Sequence, residues 1–334
     1  MKILVTGASG FIGLNVLRHM AKARPDAEIV AADLAEPTVD DRVPLGATAE
    51  RIEYRSLDVT DADACNALLQ EAKPTHILHT AAVTLPDESA RSKELTYSIN
   101  LEGTRNILKA AVSAGSIERC VLLSSSGIYK QSCDAALCDE EHPLDLSMSY
   151  ADAKHKAEML MEEYERIGNF PVLAARVGPV YGEFERCRTT RPNISMVQRL
   201  LNLLDERRIV RVAGADTHRD WTHAGDIAAG LDALLCARTL NHRIYNVSSG
   251  ISVSARGILE VFIENGMSVE WAASETNADI VLNPRENRKT LVIDRLLQET
   301  GFTPRFDIRA GLSQLLAARK QSATAIDNQE RCAQ

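Results

Sequence analysis

Gly7-Ala8-Ser9-Gly10-Phe11-Ile12-Gly13 follows the apolar run Ile3-Leu4-Val5 and leads into Leu14-Asn15-Val16-Leu17. The order is strand, glycine turn, helix. Gly7 suits the tight turn, Gly10 lets the backbone approach a pyrophosphate, and Gly13 lets the helix pack on the strand. The helix N-terminus then offers free N–H groups and the positive end of its dipole to a phosphate. The spacing is G-x-x-G-x-x-G. With the right context on both sides it predicts a dinucleotide site; a purely structural turn is the alternative. The residues expected on the dinucleotide are Gly7, Ser9, Gly10, Phe11, Ile12 and Gly13.

Outward from the turn, Glu28-Ile29-Val30-Ala31-Ala32-Asp33 reads as a buried strand ending in an acid. Asp33 stands twenty residues after Gly13. A carboxylate there accepts both ribose hydroxyls of an adenosine and repels a 2′-phosphate; its other reading is a helix N-cap. Strands at 52–57, 76–79, 120–123 and 171–175 alternate with helices at 61–72, 91–114 and 149–168. This rhythm predicts a parallel sheet covered on both faces, with strand-end acids facing the ligand crevice.

The pattern changes after Arg176. Residues 183–195, with Arg186, Arg188, Arg191 and Pro192, read as a loop. Helices follow at 195–206, 226–237, 254–265, 294–300 and 309–319, with strands at 209–212, 243–247 and 269–271. The expected fold is α/β: a Rossmann-type doubly wound parallel sheet with a smaller C-terminal α/β substrate domain. Residues 1–175 plus 215–253 would form the NAD-binding domain, 176–214 plus 254–320 the substrate domain, and 321–334 a flexible tail.

Composition narrows the partners. The 334 residues suffice for a large core in one or two domains, and the net charge of −8, with no basic stripe, argues against nucleic acid. No apolar run reaches membrane-spanning length, and the N-terminus begins as a strand without a signal peptide. Seven scattered cysteines with no C-x-x-C pair point to a reducing, cytoplasmic setting, with Cys133 and Cys138 as free thiols and no metal site.

Two further groups carry chemistry. Tyr150 and Lys154 lie four apart on one helix face, where an ammonium favours the phenolate and lets the tyrosine take a proton near neutral pH. A solvated helix face explains the same spacing. Ser124-Ser125-Ser126 ends a sheet strand, so its hydroxyls point into the crevice or simply form a polar exit.

Taken together, glycine turn, strand-end acid, strand-end serine and Tyr-x-x-x-Lys resemble the extended short-chain dehydrogenase/reductase superfamily, in particular its NAD-dependent epimerase/dehydratase group. The resemblance covers nearly the whole chain. Asp58-Val59 looks like the family's adenine contact, His79-Thr80-Ala81-Ala82 its H-x-A-A segment, and Asn100 its helix asparagine. Ser124-Ser125-Ser126-Gly127-Ile128-Tyr129 resembles S-S-x-x-V-Y, which makes Ser125 the catalytic hydroxyl and puts Ser126 one position on, toward substrate. Arg176 to Gly182 resembles R-x-x-N-V-Y-G with Pro179 in place of asparagine, Arg219 to Asp226 resembles R-D-[FWY]-[VIT]-H-V-x-D, and Tyr245 to Gly250 is similar to Y-N-V-G-S-G.

The resemblance implies NAD as cofactor and Ser125, Tyr150 and Lys154 as catalytic residues. Tyr150 is the base; Lys154 holds the nicotinamide ribose and lowers the phenol's pKa. The family's 4,6-dehydratases carry an Asp-Glu pair directly after the catalytic hydroxyl, and its decarboxylases a glutamate at the second position; this chain has Ser126-Gly127. What remains is oxidation of a secondary alcohol, either in a nucleotide-sugar 4-epimerase or in a dehydrogenase of a free uronate, aldonate or related polyol acid. A catalytically silent NAD-binding scaffold is the non-enzyme alternative. Expected substrate contacts are Thr84, Ser126, Arg186, Arg191, Arg219 and Arg285, with Arg288 as a substitute for Arg285 and Arg188 in the same covering loop. The family also implies a homodimer built on the helices at 91–114 and 149–168.

Overall fold

The computed structural model describes residues 1–35, 43–85, 87–131, 136–206, 209–214, 216–283 and 287–332. Seven parallel strands form the main sheet: β1 (Lys2–Thr6), β2 (Glu28–Asp33), β3 (Ile52–Ser56), β4 (His76–His79), β5 (Arg119–Ser125), β6 (Val172–Val177) and β7 (Ile244–Val247). Their spatial order is β7-β6-β5-β4-β1-β2-β3. The chain reverses its direction of travel across the sheet between β1 and β4, and a crevice opens there at the carboxyl ends of the strands. The glycine turn, Asp33, Ala81 and Ser125 all lie at that edge because each follows or ends a strand.

Side-chain alternation explains why both faces are covered. Ile3 and Val5, Ile29 and Ala31, and Leu173 and Ala175 face α1 (Phe11–Ala23) in one core. Leu4, Val30, Ala32, Val172 and Ala174 face α2 (Ala62–Ala72) in the other. Period-two alternation with apolar residues on both sides is the signature of a sheet buried on both faces.

The segment expected as one helix over 91–114 is three pieces: α3 (Ala90–Tyr97), a π-helical turn over Ser98–Gly103, and α4 (Thr104–Ala114). The wide turn carries two crowded residues. Asn100 is fully buried, and a Cβ on Gly103 would lie 2.7 Å from the Val59 side chain. The helix expected over 149–168 is likewise divided at Leu160 into α5 (Ser149–Met159) and α6 (Met161–Gly168).

A third core lies in the loop-rich part of the chain. Strand Val210–Ala213 pairs in parallel with Val269–Trp271 and Ile280–Val281, and the helices Met196–Asp205, Ala255–Glu264 and Ile308–Cys332 pack against them. Residues 321–332, expected within a tail, have helical backbone. β7 returns to the main sheet beside β6, in register from Ile244↔Ala174 to Val247↔Val177, as the buried run 243–247 implies. Between them, α7 (Ala224–Cys236) joins α1 on the first face.

Candidate active site

The glycine turn is shaped by close backbone approach. Gly7 has φ +67°, and a Cβ there would lie 2.5 Å from the amide nitrogen of Ala81. A Cβ on Gly13 would lie 2.2 Å from the Gly7 carbonyl oxygen, so α1 seats directly on the turn. Gly10 caps α1 without a side-chain hydrogen bond and no acid occupies the first turn, which leaves the helix N–H groups to a ligand.

On the adenosine side, the Asp33 carboxylate accepts from Ser9 N at 2.8 Å and from Leu34 N at 2.7 Å. Burial pushes its pKa up; these two bonds and the charge of Arg188 oppose the rise. Asp33, Asp58, Val59, Ala81 and Ala82 line a cavity of about 130 Å³. Asp58 also accepts from the Thr60 amide at 2.8 Å and so shapes the turn after β3.

The catalytic side is a cleft of about 260 Å³ whose wall includes Thr84, Ser125, Tyr150, Lys154 and Pro179. Ser125 ends β5, and its Oγ accepts from Gly127 N at 3.0 Å, which starts a short 3-10 turn over Ser126–Ile128. Tyr150 and Lys154 project from the first turns of α5. Lys154 Nζ donates to the Leu123 carbonyl at 2.8 Å. Burial lowers its pKa to about 8, and Glu158 opposes the fall. Burial raises the Tyr150 phenol, while the hydroxyls of Ser125 and Thr84 and the charge of Arg191 pull it down. The Ser125 and Thr84 hydroxyls and the Arg191 charge thus favour the phenolate.

Behind the cleft runs a buried polar network. Ser124 Oγ donates to Glu158 at 2.6 Å, and Arg176 meets the same carboxylate twice, at 3.0 and 2.7 Å. Arg176 continues to the Tyr129 hydroxyl at 3.1 Å, and Tyr129 donates to Asn246 at 2.7 Å. A bidentate guanidinium–carboxylate pair with its remaining lone pairs used fixes orientation strongly. Sequence reading singled out Arg176, Tyr129 and Asn246 only by resemblance and missed Glu158. The signal was present: Tyr150, Lys154 and Glu158 recur every four residues on one helix face.

The remaining expected residues divide. Arg186, Arg188 and Arg191 line the cleft together with Phe184 and Thr190, which the sequence reading did not name. Asn100 is fully buried; its amide exchanges two bonds of 2.9 Å with the backbone of Val83. It therefore supports the wall of the cavity beside Asp33 through Val83. Ser126 is buried in the 3-10 turn. The Arg219 guanidinium lies 5.5 Å from the Trp221 ring centroid on a two-stranded ribbon with Val253–Ser254. Neither is on the described wall of the cleft. The Arg288 amide donates to the His218 carbonyl at 3.1 Å. Cys138 is buried. Arg285 and Cys133 lie outside the described residues.

These features fit a dinucleotide: an uncapped helix N-terminus, glycines where any Cβ would collide, a strand-end carboxylate, and a buried Arg191 Nη1 that lacks a hydrogen-bond partner. No helix among the described residues is long and apolar enough to cross a membrane, and no described group of His, Cys, Asp and Glu could hold a metal ion.

Comparison with known proteins agrees. The profile of the NAD dependent epimerase/dehydratase family matches residues 3–248. A dTDP-glucose 4,6-dehydratase of Actinoplanes sp. is 28% identical over 331 residues, covering 95% of this chain and 97% of its own. The UDP-glucose 4-epimerase of Thermotoga maritima, solved with UDP-glucose, superposes with TM-score 0.80 at 18% identity, covering 97% of this chain and 100% of its own. The UDP-glucose 4-epimerase of Thermus thermophilus, solved with NAD, superposes with TM-score 0.75 at 24% identity, covering 95% of this chain and 100% of its own. The chain belongs to the NAD dependent epimerase/dehydratase family and is an NAD-dependent enzyme of the extended short-chain dehydrogenase/reductase type.

Proposed function

We propose that this enzyme oxidises a secondary alcohol of a nucleotide sugar and returns it inverted, as a 4-epimerase. One observation carries the reading: the described wall of the cleft holds Ser125, Tyr150 and Lys154 but no carboxyl group. Loss of a hydroxyl as water needs an acid to protonate it. A Cβ on Gly127 would lie 3.1 Å from Ser125 Oγ and 3.9 Å from the Tyr150 ring, so a side chain there would reach the reacting centre. Glycine places nothing at that point, and oxidation without dehydration is what the wall supports, although relatives include 4,6-dehydratases.

NAD held at the glycine turn and Asp33 would supply a reversible hydride acceptor for the carbinol carbon. Ser125 holds the substrate hydroxyl. Tyr150 removes its proton as the C–O bond becomes a carbonyl, and returns that proton to the carbonyl oxygen when the opposite face is reduced. Lys154 holds its positive charge beneath this exchange, anchored to Leu123. Arg186, exposed at the cleft, is assigned to the substrate's anionic group. The nucleotide-sugar substrate of the Thermotoga maritima protein supports a diphosphate there.

A second reading, a dehydrogenase of a free sugar acid, is favoured by Pro179, which lines the cleft where the family usually has an amide side chain. One experiment separates the two. Purified enzyme is incubated with UDP-, GDP- and TDP-sugars and with free uronates and aldonates, reading NADH and isomers. Isomer formation without NADH release supports the epimerase; NADH release with a free acid and no binding of UDP, GDP or TDP rejects it.

We further assign 176–214 plus 254–320 to substrate binding and infer a homodimer. Leu95 on α3, Met159 on α5 and Ile167 at the end of α6 are exposed on the helices expected to pair. Light scattering that gives only a monomer would reject the dimer.

A further inference from the structure

The arginine loop carries Arg186 at the substrate end, and beyond it the chain runs along the dinucleotide site. Arg188 and Thr190 line both cavities, the one beside Asp33 and the one beside Tyr150. The loop is therefore the wall shared by the two ends of the dinucleotide site, and it crosses where the middle of the ligand must lie. It is held there from both sides. Across the cleft, Thr84 N donates to the Thr190 carbonyl at 2.8 Å. Within the loop, Arg188 and Arg191 exchange backbone bonds of 3.1 and 2.9 Å as a small antiparallel bridge.

Arg191 is the best defined of its side chains. Its guanidinium lies 4.9 Å from the ring centroid of Phe11, the residue that opens α1 directly after Gly10. One nitrogen donates to Glu185 at 2.8 Å. Glu185 is fully buried and also takes the Ser195 amide at 2.8 Å. Its other terminal nitrogen, Nη1, is buried and has no hydrogen-bond partner among the described residues. Leaving a buried donor unpaired is costly, and a guanidinium with a free N–H is suited to a phosphate oxygen. The charge of Arg188 reaches Asp33 at one end and that of Arg191 reaches Tyr150 at the other.

We propose that the loop segment from Arg188 to Arg191 is a clamp on the cofactor: Arg191, assisted by Arg188, grips the dinucleotide's diphosphate from the side opposite the glycine turn. The diphosphate then lies between two positive surfaces, the N-terminus of α1 and the guanidinium stacked on Phe11. The proposal rests on NAD as cofactor and not on the identity of the sugar.

The test is calorimetric titration of NAD-free protein with NAD, ADP and adenosine, which reads binding and not turnover. Arg191→Gln keeps a donor for Glu185 and removes the charge. It should weaken NAD and ADP tenfold or more and leave adenosine within twofold. Arg188→Ala leaves the Glu185–Arg191 pair intact and should weaken NAD and ADP in the same sense, with an unchanged melting temperature as control. Unchanged NAD and ADP affinity in both variants would overturn the clamp, as would equal weakening of adenosine. Loss of UDP binding by NAD-loaded protein while NAD affinity is kept would assign the arginines to the substrate instead. If the enzyme proved to be a sugar-acid dehydrogenase, these titrations would still decide the clamp.

Discussion

Lys154 Nζ lies 2.8 Å from the carbonyl oxygen of Leu123, two residues before Ser125 on the same strand. The bond anchors a buried ammonium to the strand that ends in Ser125. Desolvation lowers its pKa to about 8, with the charge of Glu158 opposing. His79 feels the same ammonium, and Glu158 is shared with Ser124, His155 and Arg176.

The charged form of Lys154 is the working one, so turnover should fall as pH rises through about 8. Glu158→Gln removes the opposing charge and should move that limb down by about half a pH unit or more. Measured kcat profiles with superimposable limbs would show that Glu158 does not act on Lys154. For stability the sign is opposite. The folded pKa lies below the unfolded one, so the penalty for burying the charge is full below about 8 and fades as pH rises toward 10.5.

His79 is a second buried base. It sits between Thr6 and Thr104 at 2.7 and 3.1 Å, and burial lowers its pKa to about 3 from 6.5. The unfolded chain therefore binds a proton that the native state refuses between those values. Stability from this residue is complete above pH 6.5 and is lost as pH falls toward 3. At two units below the unfolded pKa the loss is about 2–3 kcal/mol. His79→Gln should be less stable at pH 7 but should lose less on going to pH 4.5; melts with equal pH slopes would contradict this.

Tyr150→Phe keeps the ring in the cleft and removes the proton acceptor. Turnover should drop by about two to four orders of magnitude while NAD binding persists. Steady-state rates and a binding titration on the same preparation check both halves, and near-wild-type turnover would identify a different base.

Asp33 already accepts two backbone amides, and Leu34 follows it in place of a cation. Wild-type protein should bind NAD well above NADP, and Asp33→Ala should weaken NAD and narrow the gap. Equal affinity of the unaltered protein for the two cofactors would remove Asp33 from this role.

Much of the site was legible because it lies on single elements. The glycine triplet, Asp33 and the Tyr150–Lys154 pair each have their geometry set by one turn, one strand end or one helix, and local spacing reports it. What failed to show is tertiary. Asn100 matches a family position, but only the fold reveals that it works through the backbone of Val83. Ser126 follows Ser125 directly, yet the 3-10 turn that Ser125 itself caps folds it inward. Arg219 and Arg191 are indistinguishable as letters. One stacks on Trp221 away from the cleft and the other on Phe11 within it, because the loop carrying Arg191 is tied to Thr84 by a bond between residues far apart in sequence.

The bond from Tyr129 to Asn246 has a consequence for dissection of the molecule. Asn246 belongs to β7, which the chain supplies only after the excursion through the third core, yet its side chain also takes up the Cys138 and Val292 carbonyls at 3.0 and 2.9 Å. A fragment ending at Arg176 would keep Ser125, Tyr150 and Lys154 but expose the edge of β6 and strand the Arg176–Tyr129 pair without its far partner. Such a fragment should melt below the whole chain, because it lacks the β7 pairing and the Asn246 bond. A ribosome must complete nearly three quarters of the chain before β6 acquires its second neighbour in the sheet.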